Sequence, residues 1–214
     1  VHWNQDVGEE SWVNEGLSEV ATELAGYPSH FVDDFLRRPN TQLNWWPDQP
    51  RSTANHYGAS ALFFSYLSQR YGGVDGLGQL AREQLDGTEG VDAYLSGHGT
   101  SFEALFQDWV VANYLDADEG PYGYRDRDVG VTNRSRLSVH TSASSTLPQF
   151  SARYHRIIGV DGDVAVRFSG ATDARQIATE CHSGRLCWWS GRGDSIDSTM
   201  TRRFDLTRVA TATL

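Results

Sequence analysis

Apolar residues recur at helical spacing through the first half of the chain. Val13, Leu17, Val20 and Leu24 form one stripe, which predicts a helix ending at Gly26-Tyr27-Pro28. A polar, aromatic loop follows through Asn44-Trp45-Trp46-Pro47. A second helix opens near Asn55-His56-Tyr57, with Ser52 or Thr53 as N-cap and Gly72-Gly73 as the stop. Val74, Leu77, Leu80, Ala81 and Leu85 predict a third helix, stopped by Gly87. Thr100-Ser101-Phe102-Glu103 has capping-box spacing and opens a fourth, with Leu105, Phe106, Trp109 and Ala112 turned inward. From Asp116 to Arg136 the sequence becomes acidic and rich in Gly and Tyr, as a connecting segment is. Beyond it the period changes to two. Val164, Val166 and Phe168 alternate with Ala165 and Arg167 after the Asp161-Gly162 turn, and with Tyr154 to Ile158 they predict an antiparallel hairpin. The expected class is α+β, mainly helical first and antiparallel β afterwards.

Composition narrows the partners more than the fold. The 214 residues are 39% hydrophobic and 12% aromatic, enough to bury a core in one domain or two small ones. All 18 basic residues are Arg against 28 acidic ones, a net charge of -10. Nucleic acid and anionic membrane surfaces are disfavoured, because both require concentrated positive charge. No apolar run approaches the roughly 20 residues that span a bilayer.

The chemistry concentrates in Trp12-Val13-Asn14-Glu15-Gly16-Leu17-Ser18-Glu19. The apolar stripe leaves Glu15 and Glu19, four residues apart, together on another face. On spacing alone such a pair also describes a solvated helix face. The Asn14-to-Glu19 stretch resembles the gluzincins, the thermolysin-like zinc peptidases. In that family a helix carrying Asn-Glu-x-x-Ser-acid follows the two histidines of His-Glu-x-x-His and supplies the third ligand. The resemblance implies Glu15 as zinc ligand, with Glu19 and Asn14 supporting the ligand shell. The family usually has Asp where Glu19 stands, which lengthens that arm by one methylene. Val1-His2-Trp3-Asn4 is similar to what directly follows His-Glu-x-x-His in secreted peptidases of the immune-inhibitor type, so the chain is expected to be an internal portion of a longer protein. His-Glu-x-x-His occurs nowhere in the 214 residues. By themselves they are expected to be inactive, and His2 reads as a packed or surface residue more readily than as a ligand.

The segment from Asn55 to Leu67 resembles the helix in related gluzincins, including the aminopeptidase branch, where a tyrosine hydroxyl donates to the developing oxyanion. The thermolysin-like branch uses a histidine at a comparable place. Tyr57 and His56 are the two candidate catalytic residues, Tyr57 the stronger; the alternative is that both serve packing. Cys187-Trp188-Trp189-Ser190-Gly191-Arg192-Gly193-Asp194, with the Phe-Asp-Leu run ending at Leu206, is similar to the opening of the β-sandwich that follows the immune-inhibitor peptidase domain. The resemblance divides the chain into 1–118, the helical C-terminal portion of a zinc peptidase domain; 119–136, a linker; and 137–214, an incomplete, jelly-roll-like β-sandwich. It implies a secreted, extracellular zinc peptidase acting on protein or peptide substrates.

Four further features are weaker. Cys181 and Cys187 are close enough in sequence to bridge a hairpin-like loop, and an extracellular setting favours a disulfide. Asp194 and Asp197 offer a minimal calcium motif, and Arg192-Gly193-Asp194 spells an adhesion tripeptide that turns produce by chance. Trp45 and Trp46 either line a cleft or fold onto the core. A noncatalytic extracellular adhesion or carbohydrate-binding protein stays open as the alternative function. A glycosidase ranks low, because adjacent turns of one helix rarely present an acid and a base across a scissile bond.

Overall fold

The computed structural model describes residues 8–27, 29–47 and 53–171, together with 197, 199–201, 203, 205 and 207. Val1–Ala174 is one compact unit and Arg175–Leu214 a second. The described part of the first unit is rich in helix, with two short strands. Its elements are α1 (Ser11–Leu24), α2 (Val32–Arg37), α3 (Ala54–Arg70), α4 (Gly73–Leu80), α5 (Gly87–Ser96), α6 (Phe102–Leu115), β1 (Arg134–Ser138) and β2 (Tyr154–Ile158).

Helix α3 is the axis of the unit. Gly58 through Leu67 are buried without a break, as expected of a helix that is apolar or small on every side. Helices α1, α2, α4 and α6 all pack on it, α1 most extensively. The contact between α1 and α3 is close because Gly16 carries no side chain. A Cβ there would lie 2.5 Å from Cδ2 of Phe64 and 2.9 Å from Cβ of Ser60. Around this contact Trp12 stacks on Phe64 with ring centroids 5.4 Å apart and meets Phe63 edge-on at 6.0 Å. Trp12, Val13, Leu17 and Val20 of α1 are buried, so the expected stripe is the packed face, except that Leu24 at its end is exposed. Burying side chains of this size contributes about 1.5–3 kcal/mol each.

Helix α6 begins as its capping residues predict, with Ser101 Oγ accepting from the Ala104 amide at 3.2 Å. Leu105, Trp109 and Ala112 are buried, and Phe35 of α2 stacks on Trp109 at 5.3 Å. The helix expected to run from Val74 to Leu85 stops at Leu80 instead. Arg82 and Glu83 donate three residues back to Gln79 and Leu80, and the Glu83 carboxylate accepts from the Gln84 and Leu85 amides, so the chain turns away. Two helices, α2 and α5, were not signalled by periodicity.

The acidic Gly/Tyr-rich stretch after α6 lies against the helices. Asp116 accepts from the Tyr124 amide at 3.0 Å and the Val129 amide at 2.6 Å, and Val129 and Val131 are buried. The hairpin expected from Tyr154 to Phe168 is corrected. Tyr154–Ile158 is a strand, but it pairs in parallel with Arg134–Ser138, Arg134 opposite Tyr154 and Ser138 opposite Ile158. Residues 164–168 form no strand, with Phe168 90% exposed. The reason is tertiary. The Thr132 amide donates to the Leu36 carbonyl at 3.1 Å and the Ala152 amide to the Pro39 carbonyl at 3.2 Å. Both strands therefore leave the same end of α2 side by side, and share a direction. No helix among the described residues is long and apolar enough to cross a membrane.

Candidate functional site

The α1–α3 contact that Gly16 permits also brings together the two stretches singled out by their chemistry. Glu15 adjoins Gly16 on α1, and Tyr57 lies one turn before Ser60 on α3. The Tyr57 hydroxyl and the Glu15 carboxylate face each other closely enough for each to act on the other's ionisation, and Glu19 adds its field to both groups. All three side chains are half-buried. Partial burial raises the Glu15 carboxyl above its usual range; the nearby Tyr57 hydroxyl opposes that shift and Glu19 adds to it. Burial raises Tyr57 as well, followed by the neighbouring Glu15 carboxylate and then Glu19. No cation offsets Glu15 or Glu19 among the described residues.

The surroundings fix this arrangement from both sides. Asn14 Nδ2 donates to the Glu9 carbonyl at 3.0 Å and so braces the start of α1. Glu9 in turn accepts from the Gly87 amide at 2.7 Å, tying α1 to α5. At the far end of α1, Glu23 is gripped by Arg127 at 3.2 and 2.6 Å, and Arg127 also reaches Ser65 Oγ at 3.3 Å.

His56 lies about 100° round the helix from Tyr57. It is 6% exposed and edge-on to both tryptophans, with ring centroids 5.3 Å from Trp45 and 6.1 Å from Trp46. Burial lowers its pKa, against the effect of the Trp45 and Gln42 backbones, and its Nδ1 has no partner among the described residues. Its neighbours are therefore the tryptophan loop, whereas Tyr57 reaches Glu15. Trp46 packs against the core and both tryptophans are half-buried. His2, Cys181, Cys187, Asp194 and the Arg192-Gly193-Asp194 turn lie outside the described residues, and Asp197 is exposed.

Chemically, Glu15 is an anionic oxygen donor with a hydroxyl on one side and a second carboxylate one turn on. It fits one position of a zinc donor set, with Glu19 as a neighbouring hydrogen-bond acceptor. No group of three or more His, Cys, Asp or Glu side chains among the described residues could hold a metal by itself. Sequence reasoning missed Arg127, which lay in a stretch read as connecting, and Phe31, which stacks on Tyr57 at 5.0 Å. The small-residue run Gly58-Ala59-Ser60-Ala61 was the available signal that backbone approaches α3 here. Comparison with protein-family models gives no match to this chain, and comparison with curated proteins gives none either.

Proposed function

We propose that the helical unit is the C-terminal part of a gluzincin-type catalytic domain in a secreted zinc peptidase of the immune-inhibitor type, followed by a jelly-roll-like β-sandwich. Glu15 is the third metal ligand, Glu19 supports a ligand histidine, and Tyr57 is the oxyanion donor. The observation that carries this reading is the close approach of α1 and α3 at Gly16, which sets Glu15 and Tyr57 facing each other. The two motifs that the family resemblance assigns to metal binding and to oxyanion stabilisation lie against each other in this unit.

Zinc, when bound, polarises a peptide carbonyl and acidifies its water. The chain's own contribution is positional. Glu15 presents a carboxylate oxygen held in place by helix packing, and Tyr57 presents an O–H beside it, within reach of charge developing on a substrate carbonyl oxygen. The two imidazoles and the general-base glutamate belong to His-Glu-x-x-His, which this reading places ahead of Val1.

The test uses the chain joined to its upstream coding sequence. Glu15→Gln is expected to lower zinc content and peptidase activity together. Glu19→Ala is expected to weaken metal binding less, on the order of 10 to 100-fold. Tyr57→Phe is expected to reduce kcat by roughly 100-fold with little change in KM, since the hydroxyl acts in the transition state. Full zinc content and activity in Glu15→Gln would overturn the assignment. An upstream sequence without His-Glu-x-x-His would favour a noncatalytic adhesion or carbohydrate-binding role instead.

A further inference from the structure

Two aromatic rings from separate segments converge on Tyr57. Phe31 stacks on it with centroids 5.0 Å apart and planes 28° from parallel. Trp46 meets it edge-on at 4.8 Å and 82°. A tyrosine ring has two torsions, and a face contact crossed with a perpendicular edge contact restrains both. The hydroxyl is then fixed by what holds those two rings.

Each ring is anchored independently. Phe31 caps α2, and its carbonyl accepts from the Asp34 amide at 3.0 Å and the Phe35 amide at 3.2 Å. That carbonyl lies against Gly58, where any Cβ would overlap it, so the backbone of Phe31 is pressed onto α3 one residue beyond Tyr57. Trp46 belongs to the loop after α2. This loop is fixed by Asn55 Nδ2 donating to Thr41 Oγ1 at 2.6 Å, by the Leu43 amide donating to the Phe150 carbonyl at 2.9 Å, and by His56 against Trp46. His56 and Asn55, next to Tyr57 on α3, thus act on it through the tryptophan loop.

We propose that Phe31 and Trp46 are positioning residues that clamp the Tyr57 ring and aim its hydroxyl at Glu15. The consequence for turnover rests on the role given to Tyr57 above; the placement of the ring does not. A catalytic group displaced by about 1 Å can lose on the order of 100-fold in rate, which is the scale such a clamp controls.

Two measurements test it. In the 214-residue chain, aromatic NMR is expected to show contacts from the Tyr57 ring protons to Phe31 and Trp46, with ring-current shifts assigned by Tyr57→Phe. Phe31→Leu and Trp46→Leu are each expected to abolish their own contact and move the Tyr57 signals, leaving the Trp12 and Phe64 signals in place. Gly58→Ala, which displaces Phe31 without deleting its ring, provides a variant of different chemistry if either Leu substitution unfolds the chain. In the chain joined to its upstream sequence, the same variants are expected to lower kcat about 10 to 100-fold at unchanged KM and zinc content. Phe31→Tyr and Trp46→Phe are expected to restore most of the rate. Combined with Tyr57→Phe, the Leu variants should add no further loss, because the group they aim is already gone. Unchanged Tyr57 signals in folded Phe31→Leu and Trp46→Leu chains overturn the clamp, as do losses that add fully to Tyr57→Phe. If Tyr57→Phe itself turns over at the wild-type rate, the donor role fails, and the NMR arm alone decides the clamp.

Discussion

Glu15 and Glu23 sit two turns apart on the same helix and meet opposite fates. Glu23 is neutralised by a forked ion pair with Arg127, whose side chain is 25% exposed against 17% for the glutamate. Glu15 meets a hydroxyl from Tyr57 and a like charge from Glu19, and no cation among the described residues. One end of α1 uses a carboxylate to fasten the stretch after α6 to the helical core. The other end keeps a half-buried carboxylate whose ionisation the fold opposes, the circumstance in which charge serves a site more than stability. Chemically identical side chains thus differ in role through what the tertiary structure sets opposite them.

The comparison breaks most drastically at Gly16, on which both ends depend. Gly16→Leu forces a side chain into Phe64 and Ser60, and is expected to destabilise the chain by about 3 kcal/mol through overpacking. Urea denaturation reads this as a lowered midpoint; a wild-type midpoint would mean that α1 and α3 do not pack as described. A smaller effect isolates the closed end. Arg127→Met removes the ion pair while keeping much of the apolar stem, and is expected to cost about 1 kcal/mol. Adding Glu23→Gln to Arg127→Met should recover part of that loss, and a double-mutant cycle showing no coupling would remove the pair from the stability of α1.

The smallest expected effect isolates the open end, and its sign is opposite. The folded Glu15 carboxyl is held above the usual glutamate value of 4.5. Stability from its protonated form is complete below that value and is lost as pH rises through the folded pKa. At pH 7 the ionised group therefore opposes folding, and Glu15→Gln is expected to raise the thermal midpoint slightly. The gain should vanish near pH 3, where wild type is protonated as well. A Glu15→Gln chain less stable than wild type at neutral pH would show that Glu15 is a structural acceptor like Glu23.

How much of this was legible locally varies by element. The α1, α3 and α6 segments carry long apolar patterns or caps, and the helices are where those patterns put them. Helix α2 has six residues, too few for a period to register, and α5 contains Gly87 and Gly90, which read as breakers. The β1 sequence Arg-Ser-Arg-Leu-Ser has little apolar alternation to announce a strand. Spacing puts Glu15 and Glu19 on one face of α1, but their suggested roles and that of Tyr57 come from the family resemblance, not from spacing. The ion pair at Glu23 and the rings on Tyr57 were not legible, since Arg127 and Phe31 are distant in sequence and carry no local signature.

By itself, the sequence determined that α1, α3 and α6 bury an apolar face and which carboxylates share the outer face of α1, because those properties follow from side-chain period along a single element. Only the tertiary structure decided which carboxylate receives a cation, which receives a hydroxyl, and that β1 and β2 run parallel. Each depends on where a second segment is anchored: Arg127 by the stretch stitched to α6, Tyr57 by the approach of α3 at Gly16, the strands by their shared start beside α2. A local pattern fixes which face a residue is on; what stands opposite is set by the packing of the whole unit.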